Sequence, residues 1–117
     1  MKADRNFRLI LNKIYNRESL VGSDLRNLYF SCMDFAGMDL RLANFEGARL
    51  SHGVLDRSDL TDANFANTDL KNASFQQANL TGAVFRNAIV SGANFADVKG
   101  LTAEVKNYLK SKGATGL

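Results

Sequence analysis

The chain has 117 residues, 45% of them apolar, a formal net charge of +3 and one cysteine, Cys32, a composition that suits one small domain and excludes an internal disulfide. No apolar run is long enough to span a bilayer as a helix, and the stretch Phe7 to Tyr15, broken by Asn12 and Lys13, does not read as a signal peptide. The expected location is cytoplasmic.

In chain order, the first element is a helix. Phe7, Ile10, Leu11 and Ile14 fall on one helical face, which predicts an amphipathic helix over residues 5 to 16 with Asp4 or Asn6 as N-cap. The segment 1–17 is read as an N-terminal cap.

From Leu20 to Phe95 every fifth residue is Leu, Phe or, at Val90, Val, through sixteen steps without a slip. A five-residue step turns about 140° in an α-helix and leaves no apolar stripe. In a strand an odd step sends successive groups to opposite faces. The chain must therefore bend once per repeat so that each apolar residue faces a common axis, which is the logic of a coiled solenoid. With the Leu, Phe or Val written as i, position i−2 is mostly Ala, small enough to share a narrow interior. Position i+2 is often Gly or Asn, residues that tolerate the tight geometry of a corner. In the first coil Leu28, Met33 and Met38 stand at i−2 instead, which predicts a wider, less regular end.

Units such as Ala63-Asn64-Phe65-Ala66-Asn67 and Ala78-Asn79-Leu80-Thr81-Gly82 resemble those of the pentapeptide repeat family over residues 18–97. The resemblance implies an all-β solenoid, a right-handed quadrilateral β-helix of about four coils with twenty residues per coil. Stacking residues twenty apart then sets Leu25, Phe45, Phe65 and Phe85 in one interior column and Phe35, Leu55, Phe75 and Phe95 in another. Phenylalanine ladders are predicted.

The last element, in the segment 98–117, is a second helix with Thr102 as N-cap, ending near Gly113, its apolar face made by Leu101, Val105, Tyr108 and Leu109. Both helices are read as capping lids, because an open solenoid exposes backbone and interior at each end.

Charge is segregated along the chain. Residues 1–17 carry five bases and one acid, 18–97 six bases and ten acids, and 98–117 four bases and one acid. The family resemblance implies two functional readings: a rigid, non-enzymatic module that binds a protein partner, and a duplex-DNA mimic that binds DNA gyrase or topoisomerase IV. Mimicry of a polyanion asks for a long acidic rod, so the first is preferred. Lys2, Arg5, Arg8, Lys13 and Arg17 are read as the solvated face of a lid rather than a membrane or nucleic-acid contact.

Of the candidate sites, Cys32 and His52 share a corner column but bring neither a third partner for nucleophilic catalysis nor enough ligands for zinc, and are read as surface residues. Asp39 and Asp59, with Asp62 nearby, are read as repeat residues rather than an acid/base pair. No catalytic residue, cofactor or metal is expected. Tyr29, Arg49, Asp69 and Ile89 form one outward column, in which Arg49 is placed to pair with both Tyr29 and Asp69. With Val84 this column is the expected partner surface. Leu42 and Val54 are further exposed apolar residues. Leu101, Val105, Tyr108 and Leu109 are the expected contact of a head-to-head homodimer, with a monomer as the equal alternative.

Overall fold

A five-residue apolar period buries one face only if the chain turns at every repeat, and in the computed structural model, which describes residues 6–117, it does so. The carbonyl of residue i accepts from the N–H of i+3, as between Phe30 and Met33 at 2.9 Å and between Leu60 and Ala63 at 3.0 Å. At all sixteen i+2 positions φ lies between 57° and 73°, the sign that a type II turn demands of its third residue. Glycine and asparagine accept that region at little cost, but Leu42, at φ 62°, does not.

Turns occupy so much of each unit that no extended strands form. Each side instead contributes one parallel bridge, at i−1, to the residue twenty positions on, from Asp24 with Asn44 to Asn79 with Lys99. Twenty residues hold four such bridges, which makes the solenoid four-sided. Every side is stitched the same way: the N–H of i donates to the carbonyl of i+19 and the N–H of i+2 to that of i+21, as from Leu25 to Asn44 and Asn27 to Glu46. The first coil keeps this register, so the expected irregularity is corrected. Met38 is buried, and Leu28 and Met33 pack half-buried against the core, without disturbing the backbone.

All sixteen residues i are buried. Phe45, Phe65 and Phe85 stack with centroids 5.0 and 5.3 Å apart and rings within 9° of parallel, and Phe75 stacks on Phe95 at 4.8 Å. The two ladders also meet edge to face across the interior, as Phe65 and Phe75 do at 5.6 Å and 89°, an arrangement that suits the ring quadrupole. Ser58 and Thr68, the polar i−2 residues in the core, donate their hydroxyls to the carbonyls of Leu55 and Phe45.

Helix α1 (Phe7–Tyr15) begins at Asn6, whose side chain accepts from the Leu9 N–H; Asp4 and the predicted helix start at residue 5 lie outside the described residues. It buries Ile14 in the core and sets the Phe7 ring 5.8 Å from that of Phe30. Helix α2 (Ala103–Ser111) is capped by Thr102 and buries Leu109 completely. Both act as lids. Beyond α2 the chain rejoins the solenoid: Thr115 bridges Asn94, Gly92 donates to Gly113, and Ala114 enters the core.

Candidate interaction surface

What the repeat asks of its outward i−1 residue is a hydrogen-bond acceptor. Nine of the sixteen are Asp or Asn, and in every one the side-chain oxygen takes the N–H of i+1 at 2.9 to 3.4 Å. Ser19 does the same for Val21. At Ser74 the task passes to Asp56 of the coil below, whose Oδ1 accepts from both the Ser74 hydroxyl and the Gln76 N–H. The acceptor satisfies a turn amide that the bridges leave free.

Five i−1 residues give up this bond: Tyr29, Arg49, Val54, Val84 and Ile89. Tyr29, Arg49 and Ile89 belong to one side, bridged in a single column that also contains Asp69. Val84 adjoins Ile89 on the neighbouring side. Tyr29 is 67% exposed, Ile89 53% and Val84 40%. The structure thus gathers the expected surface residues, although the reason they stand apart, the missing acceptor, was not read from sequence. The nine Asp and Asn residues at fixed phase were the signal that could have revealed it.

Arg49 holds its guanidinium 4.8 Å from the centroid of the Tyr29 ring, a cation–π contact. The expected pairing with Asp69 is corrected: among the described residues Arg49 has no ion pair, and Asp69 is engaged by the Lys71 N–H. A residue stacked on the ring is held toward Tyr29, away from its carboxylate neighbour. Beside it lies a shallow cleft of about 440 Å³ between Arg49, Asn67, Asn87 and Ile89.

Four acidic residues elsewhere lie beside arginines. Arg41 bonds Asp39 at 2.7 Å and reaches Asp59 at 3.9 Å. Its hydrogen bonds hold the Asp39 carboxyl below the usual carboxylate range, the opposite of what a general acid needs. Arg17 bonds both the carbonyl and the carboxylate of Asp34, capping the lower edge of the first coil. The Ala36 N–H, with Arg17 beside it, keeps the Asp34 carboxyl low. Arg26 pairs with Asp24. Lys2 and Arg5 lie outside the described residues.

Cys32 and His52 sit exposed at corners with positive φ. Among the described residues no group of three or more His, Cys, Asp or Glu is placed to hold a metal. At the C-terminal end Leu109 is corrected as a dimer contact, because α2 turns it into the protein's own core. Leu101 and Val105 pack half-buried against that core, and Tyr108 stays partly exposed with the Lys112 ammonium 5.8 Å from its ring.

A family model described as pentapeptide repeats matches residues 19–57 and 58–97. No curated protein matches the chain in sequence. Among solved structures, alr5209, a pentapeptide repeat protein from Nostoc PCC 7120, superposes with a TM-score of 0.53 at 24% identity, covering 93% of this chain and 94% of that one. HetL, described as involved in heterocyst differentiation regulation in Nostoc sp. strain PCC 7120, gives 0.40 at 21% identity over 72% of this chain and 45% of its own. QnrB1, a plasmid-mediated fluoroquinolone resistance protein, gives 0.25 at 23% over 68% and 51%. The fold shared with alr5209 is the right-handed quadrilateral β-helix.

Proposed function

The chain belongs to the pentapeptide repeat family, and from that premise we propose that it is a non-enzymatic, rigid module that binds a protein partner through the side carrying Tyr29, Arg49, Asp69 and Ile89, with Val84 at its margin. One observation carries this reading: the solenoid forgoes its turn-satisfying acceptor three times on that single side, and puts exposed Tyr, Arg and Ile there instead. Tyr and Arg are the residues that dominate binding energy at interfaces, and a stiff column presents them at little entropic cost.

The test is cross-linking and affinity capture from the native cell with the intact protein and with Arg49→Glu and Tyr29→Ala variants. Each should keep its melting temperature and lose the same partner. A partner retained equally by both variants would move the site elsewhere.

A duplex-DNA mimic directed at DNA gyrase or topoisomerase IV ranks below this reading. Asp24, Asp34 and Asp39 are each paired with arginine, which weakens an already small acidic excess against a duplex bearing one charge per about 1.7 Å. A supercoiling assay should therefore show no saturable, salt-sensitive inhibition by micromolar protein. Among the described residues no helix is long and apolar enough to cross a membrane, and we place the protein in the cytoplasm, where the exposed Cys32 thiol would stay reduced.

A further inference from the structure

The last coil is not closed on all sides. Lys99 bridges Asn79 on one side and Thr115 bridges Asn94 on another. Helix α2 begins at Ala103, where the five-residue phase would have laid the next layer over Ala83–Asn87. On that side the N–H groups of Phe85 and Asn87 and the carbonyl of Ala83 have no hydrogen-bond partner among the described residues. Their counterparts one coil below, Phe65, Asn67 and Ala63, are bonded to Val84, Arg86 and Val84 respectively. Two donors and one acceptor therefore stand at the spacing that a parallel strand satisfies.

Above them α2 leaves an apolar groove of about 550 Å³, walled by Val84 and Phe85 below and by Val105 and Tyr108 on the helix. Arg86 and Glu104 flank it, and Arg86 has no ion pair among the described residues.

We infer that this edge receives an extended segment of a partner protein, added parallel to Ala83–Asn87, with an apolar residue over Phe85 and an acidic residue over Arg86. Backbone pairing supplies the affinity and the alternate side chains the selectivity, as in strand addition generally. Among the described residues the edge is left open, since 103–111 are helical and 113–115 pair with Gly92, Ala93 and Phe95. A second copy related by a two-fold axis would meet the edge antiparallel and bring Arg86 near its own counterpart, an unfavourable like-charge approach. The groove shares only Val84 and Asn87 with the margin of the Tyr29 and Arg49 surface, so its failure would leave that proposal standing.

The experiment is an amide-resolved NMR titration of the full chain with the peptide acetyl-Ala-Asn-Leu-Glu-Gly-amide, whose Leu is in register with Phe85 and whose Glu lies over Arg86. The expected result is saturable shifts at the Phe85 and Asn87 amides and at Val105 and Tyr108, with a Kd on the order of 1 mM. N-methylation of the peptide Asn, which removes the donor to the Ala83 carbonyl, should weaken binding about tenfold or more, and Glu replaced by Lys should weaken it about two- to fivefold. Equal binding of the N-methyl peptide, or shifts confined to other residues, would overturn the inference. So would Phe85 and Asn87 shifts that follow protein concentration without peptide, which would give the edge to a second copy.

Discussion

Replacing Phe65 with Ala removes a ring that is wholly buried, stacked 5.0 Å from Phe45 and 5.3 Å from Phe85, and edge-on to Phe75 at 5.6 Å. Phe→Ala in a core costs about 3 to 5 kcal/mol through lost transfer energy and the cavity left behind, and three aromatic contacts argue for the upper half of that range. Collapse into the cavity is hindered, because the Phe65 segment is itself pinned above and below, Asn64 bridging both Asn44 and Val84. With an unfolding entropy of about 2.1 cal/mol/K per residue, a loss of about 4 kcal/mol lowers the melting temperature by roughly 16 °C. Urea and thermal unfolding followed by far-UV circular dichroism measure both. Phe65→Leu, which refills most of the volume, should cost less than half as much, and exposed Lys71→Ala less than about 0.5 kcal/mol. If Phe65→Ala fell within 1 kcal/mol of Lys71→Ala, the aromatic ladder would not be what holds the middle of the solenoid.

The i−1 acceptor gives a paired prediction: Asn64→Ala should destabilise by about 0.5 to 1.5 kcal/mol through loss of the Ala66 bond, whereas Ile89→Asn should stabilise by up to about 1 kcal/mol while weakening partner binding, both readable from urea midpoints and from affinity capture. At the corners Gly82→Ala, with φ 73° and a new methyl overlapping the Asp62 Oδ1, should cost more than Gly37→Ala, with φ 72° and open space, the latter about 1 kcal/mol; equal losses would mean that side chains do not fill the corner columns. The lowered Asp34 and Asp39 carboxyls favour the folded state when ionised, so their contribution is complete above the unfolded pKa near 4 and is lost as the pH falls through the folded values. The unfolding midpoint should hold from pH 7 to about 5 and drop below about 4, with a shallower drop in Asp34→Asn; a midpoint rising on acidification would contradict the pairing.

The five-residue phase by itself determined the solenoid, the inward residues and the corners. No helix or flat strand can bury a side chain at that interval, so Leu20 through Phe95 had to meet on a common axis, although the interval alone left the number of sides open, and Asn6, Ile14 and Thr102 marked the two terminal helices. Three things were decided only by tertiary structure. Whether Arg49 stacks on Tyr29 or pairs with Asp69 depends on side-chain direction within a column, which spacing leaves open. That Asp and Asn at i−1 serve the turn amide, and that Tyr29, Arg49 and Ile89 therefore depart from a requirement, emerges once the amide left over by the bridges is known. The way the chain closes its last coil, with α2 lifted off Ala83–Asn87, Leu109 turned inward and Thr115 returned to Asn94, arises where the repeat phase has ended. Past Phe95 no periodic constraint remains, and the path follows from which edge groups and apolar surfaces the short tail can reach.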